Sequence, residues 1–215
     1  DYTLDWSRGS DLILDLSGSL SEPEAGMPLA EALLGPNVTV SGRLTRPAEG
    51  GLTVRDIELA GRAVEASGDL SLPAGNAAIL ANYAATLTDL TPFGLAGVAD
   101  RDGRFEASGE VSGPPDDPAV EGTATFTDIS RGGIAFERLA LRYEVSNAVS
   151  APAGRVGIDG TGPLATDLEA SFEFSREGES VRIDGLQARV RETTLDGELR
   201  IPAATGLPVS GRLAL

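Results

Sequence analysis

One short motif is written five times along this chain of 215 residues: SGSLSEP (17–23), SGRLTRP (41–47), SGDLSLP (67–73), SGEVSGP (108–114) and DGELRIP (196–202). A sixth copy, SGRLAL (210–215), has the same start without the Pro. Each copy sits inside a strictly alternating run. In NVTVSGRLTR, Val38, Val40, Gly42 and Leu44 share one parity, and Thr39, Ser41, Arg43 and Thr45 share the other. GRFEASGEVSG sets Phe105, Ala107, Gly109 and Val111 on one side, and TTLDGELRIP does the same with Leu195, Gly197, Leu199 and Ile201. Side chains of a strand point alternately to opposite faces, so every such segment has one apolar and one wet face. About fourteen such segments can be counted, which predicts an all-β protein.

The motif glycine always falls on the apolar parity. Glycine weakens a strand interior, so its recurrence there predicts a sharp bend or a close backbone approach. The Pro five residues later has no N–H for a ladder and marks the strand end. Asp102-Gly103, Glu177-Gly178, Arg131-Gly132-Gly133 and the run 114–118 punctuate antiparallel hairpins. Two segments break the alternation. MPLAEALLG (27–35) predicts a short helix with Gly35 as its stop, and LTPFGLAG (90–97) is a second apolar insertion. Either is placed to cap an apolar surface or to lie as a turn over the core. The chain begins and ends inside apparent strands, as a piece of a longer protein would, and 1–215 is expected to form a single continuous unit.

Composition narrows function mainly by exclusion. The formal charge of −16 opposes a nucleic-acid partner. All 17 basic residues are Arg, a bias a GC-rich genome explains. With no Cys and no His, disulfides, the commonest general base and the commonest metal ligand are all missing. No GxSxG, HExxH or P-loop pattern occurs, so the chain is expected not to be an enzyme, and neither a metal nor a cofactor is expected. GIDGTG (157–162) has the look of a phosphate-binding loop, but no helix follows and a turn is expected there. Asp116-Asp117 reads as part of a Pro-rich turn ahead of a cation site. No run reaches the ~20 apolar residues of a membrane-spanning helix.

One-sided strands are satisfied either by two packed sheets or by one sheet curled about its own apolar face. Aromatic residues are only 5% of the chain, and the apolar parity is filled by Leu, Val, Ala and Gly. Such small side chains favour the curled sheet, since they would fill a sandwich core poorly.

The order of these elements resembles the TamB family, within the AsmA-like group of envelope proteins. The stretch FEASGEVSGPPDDPAVEGTATFTDISRGGIAFERLALRYEVS (105–146) carries the resemblance most specifically, with LTDLTPFGLAGVADRDGRFEASG and the closing GLPVSGRLAL in the same style. The resemblance implies an elongated, curled (U-shaped, taco-like) antiparallel β-sheet with a hydrophobic groove. It also implies a periplasmic location in a Gram-negative cell, with the full-length protein anchored in the inner membrane. An Omp85-type outer-membrane barrel protein would be its partner through regions outside this sequence. The implied role is the transfer of phospholipid between inner and outer membranes in outer-membrane biogenesis.

On that basis the groove lining is expected to comprise Val38, Val40, Leu44, Leu52, Val54, Leu70, Leu72, Phe105, Val111, Phe126, Leu139, Leu141, Tyr143, Val145, Phe172, Phe174, Val181, Ile183, Leu195, Leu199, Ile201, Val209 and Leu213, facing phospholipid acyl chains. The same residues would make a dry core in an ordinary β-protein. A non-conducting scaffold for outer-membrane protein or autotransporter assembly would use the same fold.

Overall fold

A computed structural model describes residues 2–5, 11–21, 28–75, 78–98, 102–162, 168–202 and 210–214. The alternating segments become strands β1 (Tyr2–Asp5), β2 (Leu12–Ser21), β3 (Asn37–Arg46), β4 (Leu52–Ala60), β5 (Val64–Leu72), β6 (Ile79–Leu87), β7 (Ala96–Gly97) and β8 (Arg104–Gly113). They continue as β9 (Ala119–Arg131), β10 (Ile134–Ser146), β11 (Ala153–Thr161), β12 (Leu168–Glu177), β13 (Ser180–Val190), β14 (Thr193–Pro202) and β15 (Ser210–Ala214). Fourteen of them form one antiparallel sheet in which each strand lies beside its sequence neighbours, and only the two-residue β7 stands off this path, paired with β9. The sheet is not closed, because β1 and β15 are its two ends. One sheet, not two, is therefore the answer to the architectural choice.

Antiparallel succession gives the sheet two long rims. The rim where β2, β4, β6 and β9 end carries α1 (Pro28–Leu34), a single 3-10 turn (Thr91–Phe93) and β7. Helix α1 closes with Gly35 at φ 69°, whose N–H donates to the Glu31 carbonyl at 2.9 Å. The last carbonyls of α1 are satisfied from the β4–β5 turn: Ala63 N–H donates to Leu33 O at 2.9 Å and Arg62 N–H to Leu34 O at 2.7 Å. Four of the five deeply buried apolar residues, Val38, Ala63, Leu90 and Ile129, lie at this rim beside the insertions; the fifth is Ala124. The two insertions thus cover one rim. The opposite rim holds short turns containing Pro47, Pro73 and Pro114, where the motif prolines end β3, β5 and β8. There Asp117 accepts from the Ser150 hydroxyl at 2.5 Å and from the Val149 and Ser150 amides at 3.2 Å, which ties two loops together.

Two strands contain an extra residue that the alternation does not foresee. In β4, Val54 pairs with Leu70 and Ile57 with Gly68, so Arg55 and Asp56 together face Asp69. Asp56 adopts φ 53°, and its amide donates to Asp69 Oδ1 at 2.9 Å. In β13, Ile183 pairs with Leu199 and Leu186 with Gly197, with Gly185 at φ 57°. Each bulge advances the chain by one residue, and the apolar side chains before and after it return to the same face.

The expected turn at GIDGTG is overturned: β11 runs straight through Gly157 and Gly160 to Thr161. Packing explains the second glycine. A Cβ on Gly160 would lie 3.2 Å from Leu139 Cδ1 and 3.1 Å from Leu168 Cδ2, so the neighbouring leucines occupy that space.

The molecule exposes 13820 Å². A compact monomer of 22.1 kDa exposes roughly 9,300 Å². The excess is what a single extended sheet produces, and none of the described large side chains is fully buried.

Candidate functional site

Cross-strand register arranges the apolar side chains in files that run across the sheet from strand to strand. The first reads Leu14, Leu44, Val54, Leu70, Ala81, Val111, Val120, Val145, Gly154, Phe174, Ile183, Leu199 and Gly211, each paired with the next. It joins eight of the expected lining residues: Leu44, Val54, Leu70, Val111, Val145, Phe174, Ile183 and Leu199. A second file, four residues along, runs Val40, Leu59, Ala66, Ala85, Ala107, Ala124, Leu141, Ile158, Ala170, Ala188 and Leu195. It takes in Val40, Leu141 and Leu195. A third, nearer the capped rim, joins Val64, Leu87, Phe105, Phe126, Leu139, Gly160, Leu168 and Val190. The Phe105 and Phe126 rings lie 4.7 Å apart, tilted by 49°.

The fourth file explains the motif. Leu16 pairs with Gly42, and Ile57 lies beside it; then Ile57, Gly68, Tyr83, Gly109, Gly122, Tyr143, Val156 and Phe172 follow in register. Beyond the β13 bulge the file resumes with Leu186, Gly197 and Leu213. Four motif glycines, Gly42, Gly68, Gly109 and Gly197, therefore share one file across the sheet. The copy in β2 runs in the opposite direction and sets Gly18 beside Val40, one file away. A Cβ on Gly109 would strike the Glu121 carbonyl oxygen, and one on Gly122 the Ser108 carbonyl oxygen, so adjacent strands lean together here.

Over those two glycines lie two phenols. The Tyr83 hydroxyl sits 2.6 Å from where a Gly109 Cβ would be, and the Tyr143 hydroxyl 2.8 Å from where a Gly122 Cβ would be. The two hydroxyls are hydrogen-bonded to one another, one donating and the other accepting. Burial, then the bond to Tyr143, pushes the Tyr83 phenol well above its ordinary pKa. Among the described residues of these four files, the two tyrosines carry the sole polar side-chain atoms.

Most of the expected lining is half-buried. Val38 is buried at the capped rim, paired with Leu20, and belongs to the rim packing. Val40, Ile201 and Leu213 are exposed, Leu213 by 57%. Leu52 pairs with Leu72, and Val181 with Ile201, toward the opposite rim. Val209 lies outside the described residues. The same face also holds Leu14, Ile57, Leu59, Tyr83, Val120, Val156, Ile158 and Leu186, which the sequence-based list omits. Alternation in ILANYAATL and AVEGTATF marks Tyr83 and Val120; the bulges hide Ile57, Leu59 and Leu186.

The other face is charged. Arg43 pairs with Asp15, Arg155 with Glu173 at 3.0 Å and Arg189 with Glu169 at 2.8 Å, in each case directly across adjacent strands. All are exposed, so solvent screening leaves each with little to contribute to stability. The Arg43 guanidinium holds the Asp15 carboxyl below the usual range. Asp69, bonded by the Asp56 amide and then by Asn82, and Asp117, bonded by Ser150 and Val149, are likewise lowered. Among the described residues no group of His, Cys, Asp or Glu is placed to hold a metal ion. No helix among them is long and apolar enough to cross a membrane. No protein-family model, no curated protein and no solved structure matches this chain.

Proposed function

We propose that the apolar face is a trough for phospholipid acyl chains, and that the chain is a length of a periplasmic, TamB-like protein supporting phospholipid transfer between inner and outer membranes. The observation that carries this reading is the continuity of the apolar files over the sheet, half-buried and with no second β-layer against them among the described residues. Glycines in one file let the sheet coil about that face into a U. Fourteen strands at about 4.8 Å give a trough roughly 65 Å long. An acyl chain in water costs about 0.8 kcal/mol for each CH₂, and a continuous apolar floor removes most of that barrier. Acyl chains have no directional groups, so such a floor needs width and few polar atoms. An Omp85-type barrel would be engaged through regions outside these residues.

The test is lipid recovery. Protein purified from a Gram-negative host is extracted, and its lipid is measured by mass spectrometry against a β-protein of equal size. The reading expects co-purified phospholipid well above the control. Recovery at the control level sinks it and leaves a non-conducting scaffold for outer-membrane protein assembly.

A further inference from the structure

The acyl-chain reading accounts for the files of Leu, Val and Ala, but not for two hydroxyls in the middle of them. Tyr83 and Tyr143 stand on β6 and β10, with β8 and β9 between, at the centre of the sheet. Phe at both positions would cover Gly109 and Gly122 equally well, so shielding the glycines does not call for the oxygens.

Hydrogen-bond arithmetic gives the hydroxyls a use. Two phenols hold two O–H donors, and their mutual bond consumes one. The pair therefore presents one further donor on an otherwise apolar floor, flanked by Val111 and Val120 on one side and Ala107 and Ala124 on the other. With Tyr83 held neutral by burial, the donor persists across physiological pH. The four files contain no basic residue, and the chain carries −16 charges, so an anionic phosphate finds no counter-charge at this point. A neutral oxygen acceptor attached to an apolar chain is what complements one O–H set among aliphatic side chains.

We propose that the Tyr83–Tyr143 pair is a binding station for the ester carbonyl oxygen of a glycerolipid, holding the junction between headgroup and acyl chains over Gly109 and Gly122. This rests on the acyl-chain reading and adds to it a preferred position and a chemical preference. An ester carbonyl accepts a hydrogen bond well, whereas the oxygen of an ether-linked lipid is a poorer acceptor of the same size.

The test compares dioleoyl phosphatidylcholine with its di-oleyl ether analogue, each presented to the full 215-residue chain in small unilamellar vesicles. Lipid bound after removal of vesicles is read for the wild type, Tyr83→Phe, Tyr143→Phe and the double variant. The Phe rings still cover the glycines, and circular dichroism checks that the sheet is intact. One hydrogen bond predicts a roughly threefold to tenfold preference for the ester lipid in the wild type. The double variant should lose that preference while binding the ether lipid as before. In parallel, the carbonyl stretch of the ¹³C-labelled ester lipid should shift to lower frequency with the wild type alone. Equal binding of both lipids by the wild type, or a preference that survives the double variant, overturns the station and leaves the trough standing. Failure of both lipids to bind the wild type overturns the station and the trough together.

Discussion

Tyr83 and Tyr143, sixty residues apart in sequence, join their hydroxyls over a pair of glycines that face one another on the two intervening strands. Tyr83 pairs with Gly109, Gly109 with Gly122 and Gly122 with Tyr143, so one register position on four strands builds the whole unit. Because the folded Tyr83 phenol binds its proton more tightly than the ordinary value of 10.0, its stabilisation is complete below that pH and is lost as pH rises beyond it. Absorbance titration at alkaline pH should show that one of the three tyrosines ionises late, together with a falling urea midpoint above about pH 10. Tyr83→Phe should remove the alkaline dependence and cost about 1 kcal/mol at neutral pH.

The glycine file is tested by contrast. Gly109→Ala forces a Cβ against the Glu121 carbonyl and the Tyr83 hydroxyl and should destabilise by about 1–3 kcal/mol. Gly18→Ala meets no atom within 4 Å and should stay within about 0.5 kcal/mol of the wild type. Equal losses in denaturant melts would remove close approach as the reason for the motif.

Substitutions along the first two files test the proposed trough. Leu70→Glu and Leu141→Glu place a charge among half-buried aliphatic neighbours and should reduce co-purified lipid several-fold. Glu144→Gln, on the charged face between Arg142 and Ser146, should leave lipid recovery unchanged. Mass spectrometry reads both, with circular dichroism confirming that the variants fold.

At the capped rim the packing is dry. Leu90 is only 4% exposed, so Leu90→Ala should cost about 2–4 kcal/mol. Leu213→Ala, where the side chain is 57% exposed, should cost less than about 1 kcal/mol. Thermal melts of the two variants would separate the rim from the open end of the sheet.

Acid should loosen the loops and the β4 bulge first. Asp69 and Asp117 hold their protons less tightly than the ordinary value of 3.8, so their stabilisation is full above that pH and declines as pH falls below it. Asp69→Asn and Asp117→Asn should each flatten the fall in urea midpoint between about pH 4 and pH 2.

How much of this was legible in the sequence depends on which interaction fixes each residue. Leu139, Leu141, Tyr143 and Val145 alternate without interruption, and the sheet places them as period-two reading expects. Ile57, Leu59 and Leu186 were hidden because a bulge shifts parity, and a residue such as Asp56 at φ 53° has no reliable signature in a single sequence. Gly160 was misleading because a glycine demanded by neighbouring leucines reads the same as one demanded by a turn. The motif showed that its glycines face the apolar side. That four of them share one file emerges only from register, which depends on loop lengths and strand direction together. The Tyr83–Tyr143 contact is a product of that register and could not be read locally.

Since each long strand hydrogen-bonds to the strands before and after it in the chain, this sheet behaves as a one-dimensional polymer of hairpins. Its cohesion is close to a sum of nearest-neighbour terms, so inserting or deleting a pair of strands changes the length and leaves the rest in place. Contacts so local let ordering start at any hairpin and spread outward in both directions. An architecture of this kind can be lengthened or shortened by whole hairpins without inventing a new fold.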